Sequence, residues 1–358
     1  MRIAVVLGAG ATLAQAQYAR ALGRSGELPP LDTSFFDVLR HLGVEIPPSL
    51  REYAAELLGA DPFVEGGPSP RMEEFFKDAF YDFIRAKKQG GRSAELLGEL
   101  LVAYREALLP TTERVWKSKD RGPLADLLAA SASAAKYVDI ITFNHDVLVE
   151  NVLADLAAAQ GRWCLRHGYG HFAAKRRFTQ QKDAIMFKDP KTCQHPDPIR
   201  LFKLHGSLNW YVDTDSPMPE SAVLRGERGT NQRILITRRR RVPRSLRHSG
   251  HFSWPVLIPP IYVKQPFIQN FMAPVWQDAR NSIASCDRLV FYGYSMPVLD
   301  IEAEKEFQRA TAKNSNLGYV DVVNPSTTAA SRYAEALPRL SVRWHGSLET
   351  FLAEAPFD

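Results

Sequence analysis

The sequence predicts an α/β protein: a doubly wound parallel sheet with a helical insertion behind its first βα unit. Three observations carry this. Ile3–Leu7 is a continuous apolar run that breaks at once into Gly8-Ala9-Gly10 and then into a helical pattern. Residues 28–135 then show helical periodicity and no strand signal. From Pro255 onward, short apolar strands alternate with helices, as βα units require.

The elements follow in order. Ile3–Leu7 has the composition of a strand buried on both faces of a sheet. Ala11-Thr12-Leu13-Ala14-Gln15-Ala16 opens the helix after the glycine turn. In the insertion, Ser69-Pro70 reads as an N-cap with proline at the first helical position. Met72, Phe75, Phe76, Ala79, Phe80, Phe83 and Ile84 recur behind it as one apolar helix face. Ala94–Leu109 repeats the pattern with Leu97, Leu100, Leu101, Tyr104 and Leu108. Tyr137–Thr142 is the second strand, and Val147–Ala158 the helix behind it. Arg162–Gly250 is irregular, with strand candidates at Arg200–Leu204 and Arg233–Thr237. Strands at Pro255–Ile258, Arg288–Tyr292, Tyr319–Val323 and Leu340–Trp344 alternate with helices at Ile268–Ser285, Ile301–Lys313, Thr328–Ala336 and Leu348–Ala353. The sheet domain therefore takes residues 1–27 and 136–358, including the basic irregular segment 162–250, and the insertion takes 28–135.

Hydrophobic residues at 45% and charged residues at 24% exclude a disordered chain. No apolar stretch reaches the roughly 18 residues of a membrane span, and the first apolar run is too short for a signal peptide. Three cysteines make no disulfide framework, so a cytoplasmic, reducing setting is expected. The net charge of +5 is uneven. Arg162–Gly250 holds 19 Lys and Arg against 7 Asp and Glu, while the remainder is acidic, which marks a localised role for the basic middle.

Five motifs sit at predicted strand ends. They are Gly8-Ala9-Gly10, Thr142-Phe143-Asn144-His145-Asp146, Lys203-Leu204-His205-Gly206-Ser207-Leu208-Asn209-Trp210, Gly293-Tyr294-Ser295-Met296-Pro297 with Asp300, and Val323-Asn324-Pro325. Each alone has a plain structural reading. The glycines fit any tight α/β turn, and a third glycine of the dinucleotide fingerprint is missing. Asp32 and Asp37 lie in range of a ribose acid without convincing placement. Asn144 or Asp146 fits a helix cap, and a lone histidine is more often structural than catalytic.

In this order the five motifs resemble the sirtuin superfamily, in particular its bacterial antiphage-defence branch of NAD-cleaving enzymes. The resemblance covers the sheet domain but not the insertion or Arg162–Arg200. It implies a Rossmann-like fold with NAD as substrate. Backbone amides of Gly8, Ala9 and Gly10, with Thr12, would meet the pyrophosphate at a helix N-terminus, and Gly293 and Ser295 would add a second contact. Asn324 would hold the adenosine ribose and Asp146 the nicotinamide amide. Asn144 offers a donor and an acceptor for ribose hydroxyls or the attacking water. His205, of a type with an ordinary pKa of ~6.5, suits the general base.

The chain departs from protein-deacylating sirtuins. Only Cys286 follows His205, so the two Cys-x-x-Cys pairs of their zinc module are absent. Thr12 replaces a serine, and His145 stands where the defence branch often has tyrosine. The expected activity is NAD+ glycohydrolase, probed against two rivals: a deacylase or ADP-ribosyltransferase, and a non-catalytic NAD or ADP-ribose sensor or nucleic-acid-binding subunit. Destructive NAD cleavage needs a gate, so a homo-oligomer is expected, or a protein partner such as a helicase-like ATPase or Argonaute-like subunit. Cys164, His167, His171, Cys193 and His195 have metal-ligand types at spacings unlike common zinc patterns, and no metal is expected. Arg238–Arg241, with Arg244 and Arg247, reads as a solvated loop or a nucleic-acid contact.

Overall fold

Strand β1, Arg2–Leu7, forms where Ile3 to Leu7 are all fully buried, so the segment lies at the centre of a sheet with no exposed face. The structure is a computed structural model. It describes residues 1–24, 26–87, 93–113, 115–116, 121–156, 162–163, 168–169, 199–214, 233–236, 252–258, 272–297 and 300–354.

β1 pairs in parallel with β2, Tyr137–Thr142, on one side and with β7, Arg288–Tyr292, on the other. β3, Arg200–Lys203, extends the sheet beyond β2. β8, Tyr319–Val323, and β9, Ser341–His345, extend it beyond β7. The resulting order β3-β2-β1-β7-β8-β9 is the Rossmann order, the chain growing outward from β1 and then returning to its other side. The fold is thus Rossmann-like, a six-stranded parallel sheet flanked by helices. The topological switch point lies between β1 and β7, where crevices for ligands form beyond the strand C-termini.

Helix α1, Ala9–Ala21, follows β1 directly. α2, Phe35–His41, α3, Pro48–Leu58, α4, Met72–Lys87, and α5, Ser93–Glu113, come next. Met72, Phe75, Phe76, Ala79 and Phe80 are buried as the periodicity predicts; the side chains of Phe83 and Ile84 lie outside the described residues. Phe35, Phe36, Phe75, Phe76 and Tyr104 pack their rings at edge-on and tilted angles between α2, α4 and α5. α6, Pro123–Ala134, packs on α1 and leads into β2. α7, Leu148–Leu156, follows β2. α8, Ala273–Ile283, precedes β7, and α9, Ile301–Lys313, α10, Thr327–Ala336, and α11, Leu348–Ala353, complete the alternation.

Three expectations need correction. Ser69-Pro70 does not start α4. Asp32 does the capping from a distance: its carboxylate accepts the Glu73 amide at 2.8 Å, and its backbone oxygen accepts the Met72 amide. Ser69 instead donates to Asp37. Asp32 and Asp37 are therefore structural groups.

The second correction concerns 162–250. β3 and β5, Arg233–Ile236, fall on its two strand candidates, but β4, Gly206–Thr214, is a further strand that the sequence did not mark. The third concerns the apolar run at Pro255, which belongs to β6, Phe252–Leu257. β6 does not join the parallel sheet. It pairs antiparallel with β4 in a separate sheet of order β5-β4-β6.

Candidate active site

The Gly8–Gly10 turn and the Gly293 loop cross at the switch point, and glycine is needed there for protein packing. A Cβ on Gly8 would lie 2.6 Å from the Gly293 oxygen, and one on Gly10 would lie 2.8 Å from the same atom. Gly293 has φ +64°, and its Cβ would fall 2.1 Å from the Ala11 nitrogen. The two turns are bonded to each other: the Gly8 amide donates to Tyr292 O, and the Gly10 amide to Gly293 O at 2.9 Å. The Ala11 amide donates back to Gly8 O. This corrects the expectation that all three turn amides are offered to a pyrophosphate. Ala9 is exposed at the first position of α1, at the positive end of the helix.

A cleft of about 780 Å³ opens over this crossing. Ala9, Gly10, Thr12, Asn144, Asp146, His205, Gly293, Ser295 and Asn324 all line it. Gly8 is buried beneath it. The convergence follows from topology, because every one of these residues lies at or just beyond the C-terminal end of a parallel strand.

Hydrogen-bond chemistry orients Asn144. A carboxylate only accepts, so the Thr12 hydroxyl donates its proton to Asp146 Oδ2, at 2.6 Å. Thr12 Oγ1 is then an acceptor toward Asn144 Nδ2, at 2.9 Å. The same Nδ2 donates to Gly8 O at 2.8 Å. Both amide hydrogens of Asn144 are thereby used, and Oδ1 is the atom left to meet a ligand. Asn144 acts as an acceptor, not as the two-way group that residue type alone suggests.

Asp146 is also committed. Its Oδ1 accepts the Leu148 amide at 2.9 Å, so it caps α7 while Oδ2 fixes Thr12. Asn324 similarly closes a turn, its Oδ1 accepting the Ser326 amide at 2.9 Å.

His205 is buried at the floor of the cleft. Phe143 meets it edge-on at 5.0 Å between ring centroids and stacks on Tyr294 at 4.4 Å. Tyr294 donates to Asp300, and Tyr333 donates to the Tyr294 carbonyl, fixing the shape of this loop. Met296 in the same loop has φ +49°, a strained backbone for a residue with a side chain.

Three further residues build the site, and sequence reasoning gave them no role. Lys203 and Glu150 form a fully buried ion pair at 3.1 Å. Lys203 also donates to the Asp146 carbonyl, and Tyr169 donates to Glu150 at 2.9 Å. Burial pushes the Glu150 pKa up while the Lys203 charge pulls it back. A lysine inside the apolar run Leu201-Phe202-Lys203-Leu204 was the available signal, since a buried charge demands a partner. The third residue is Tyr104, whose hydroxyl lies 2.9 Å from His145 Nδ1. No sequence signal links these two.

Cys164, His167, His171, Cys193, His195 and Arg238–Arg241 lie outside the described residues. Among the described residues no group of metal-ligating side chains is present, and no helix is long and apolar enough to cross a membrane. The sequence matches no model of a known protein family, and it matches no curated protein.

Proposed function

We propose that the chain is a sirtuin-like NAD+ glycohydrolase, converting NAD+ and water to nicotinamide and ADP-ribose. One observation carries this reading: Asn144 and His205, from adjacent strand ends, share a cleft with the two glycine turns of a Rossmann switch point. The cleft of about 780 Å³ falls within the ~300–1,000 Å³ typical of small-molecule sites. Its residues suit the substrate. The Ala9 amide and the N-terminus of α1 offer positive potential to a pyrophosphate. Asn324 Nδ2 suits an adenosine ribose, and the Phe143–Tyr294 stack is a flat apolar wall for a ring.

In the reaction the glycosidic bond to nicotinamide breaks and the water oxygen bonds the same ribose carbon. Asn144 Oδ1 accepts a hydrogen bond from a ribose hydroxyl or from that water. His205 takes the proton the water loses. The buried walls exclude other water and hold both groups in place before the substrate arrives. We further propose that cleavage is gated, as an antiphage effector requires, through self-assembly or a helicase-like or Argonaute-like partner.

Incubation with NAD+ followed by chromatography tests the reading. The active preparation should release nicotinamide and ADP-ribose, and Asn144→Ala and His205→Ala should each lower the rate by ~10²–10⁴-fold. Nicotinamide with an acylated or ADP-ribosylated acceptor in place of free ADP-ribose would point to a transferase or deacylase. NAD+ binding without cleavage, in the chain alone and with co-purifying protein, would leave a sensor.

A further inference from the structure

We infer that Tyr104, which the helical insertion contributes, is a positioning residue for the cleavage site, acting on His205 through His145 and the Ile258 peptide. The identity of the donors fixes the chain of contacts. The Ile258 carbonyl only accepts, so His145 Nε2, at 3.2 Å, carries the proton. His145 Nδ1 in the neutral ring is then an acceptor, and the Tyr104 hydroxyl donates to it. Tyr104 is suited to donate, because burial and the nearby Asp146 and Glu73 charges push its pKa up and keep it protonated. The Ile258 peptide completes the link: its own amide donates to the His205 carbonyl at 2.8 Å.

His145 therefore spends both ring nitrogens on protein groups, which removes it from proton transfer with substrate. It works as a clamp. It joins α5 of the insertion, the loop after β2 and the end of β6, and its backbone oxygen also accepts the Leu208 amide just beyond His205. Its ring lies 6.0 Å from that of His205, centroid to centroid, and 5.4 Å from Tyr104 at right angles. A shift of α5 thus reaches the proposed base through three hydrogen bonds. This gives the insertion a direct hold on catalysis and a physical route for gating.

The inference rests on the NAD-cleavage reading only for its kinetic arm. Tyr104→Phe keeps the ring contact and removes the hydroxyl alone. It should lower kcat for NAD+ by about tenfold to a hundredfold, the scale of small misplacements of a catalytic group, with KM within about twofold. His145→Phe should show a similar loss, and the double variant should be no worse than the more impaired single, as for residues acting as one unit. The second arm needs no substrate. In NMR spectra of the chain labelled at its histidine ring carbons, Tyr104→Phe should shift the His205 signal, which is identified by its disappearance in His205→Ala.

An unmoved His205 signal would overturn the inference, as would an unchanged kcat in an active preparation. A joint fall of kcat, affinity and melting temperature would overturn it too, by making Tyr104 a packing residue. If the parent chain proves unable to cleave NAD+, the proposed reaction fails, and the spectra still decide the coupling.

Discussion

Thr12 is where the site and the fold can be separated by one atom. Thr12→Val exchanges the hydroxyl for a methyl group at a position that is only 6% exposed. Two hydrogen bonds disappear, to Asp146 Oδ2 and from Asn144 Nδ2. One of them involves a carboxylate, so the combined loss is about 2–3 kcal/mol. At ~2.1 cal/mol/K per residue, 358 residues give an unfolding entropy near ~0.75 kcal/mol/K, so the melting temperature should fall by about 3–4 °C. The functional loss should be larger in proportion. Without Thr12 Oγ1 the Asn144 amide keeps only Gly8 O as a partner and can rotate, which should reduce NAD+ cleavage about a hundredfold. Thr12→Ser keeps the hydroxyl and should recover most of both. Differential scanning fluorimetry and the nicotinamide assay measure the two effects on one preparation. If Thr12→Val cleaves NAD+ at the parental rate, or Thr12→Ser recovers nothing, the account of Asn144 orientation is wrong.

Three other outcomes follow from the same geometry. Gly10→Val should prevent proper folding, because its Cβ would meet Gly293 O at 2.8 Å and Gly293 Cα at 2.9 Å; a normally melting variant that merely fails to bind NAD+ in calorimetry would contradict this. Lys203→Met strands the Glu150 carboxylate and should destabilise by about 3–5 kcal/mol in urea unfolding, while the Lys203→Met, Glu150→Leu pair should regain most of it; equal damage from both would show that the charge pair is not the cause. Cys286 is buried, and burial pushes its thiol up to about 12, so iodoacetamide at pH 8 should leave it unlabelled until denaturant is added, as peptide mass spectrometry can establish.

The parallel sheet was largely legible because its strands are buried on both faces. Tyr137–Thr142, Arg288–Tyr292 and Tyr319–Val323 match their apolar runs residue for residue. The same logic misled at Pro255, where an apolar run looks identical whether its partner is parallel or antiparallel. β4 escaped because its residues carry polar groups; Ser207 and Asn209 are buried there, the Ser207 hydroxyl donating to Asn209 Oδ1 at 2.6 Å. The start of α4 escaped because its capping carboxylate, Asp32, lies 41 residues before the amide it bonds. The strand-end motifs named about half of the cleft lining, since a doubly wound sheet gathers strand ends at one edge. What they could not name was the support behind them. Tyr104 and His145 are also 41 residues apart, in segments with no shared pattern.

The glycine turn shows why motif and mechanism need separate experiments. In a dinucleotide fold, glycines are read as room for phosphate. Here Gly8 and Gly10 first make room for Gly293, and Gly8 then uses its carbonyl to hold Asn144. One turn thus packs two loops, orients a catalytic candidate and presents a helix N-terminus. Any side chain placed on it disturbs all three together, so loss of activity in a glycine variant cannot distinguish binding from chemistry. The Thr12 hydroxyl, one turn further along α1, bonds Asp146 and Asn144 and takes no part in the crossing of the two loops. The Tyr104 hydroxyl, as distinct from its packed ring, serves the clamp on His145. Removing those two hydroxyls, with the glycines intact, leaves the crossing of the loops in place, so a loss of cleavage out of proportion to the loss of stability reports on the cleft.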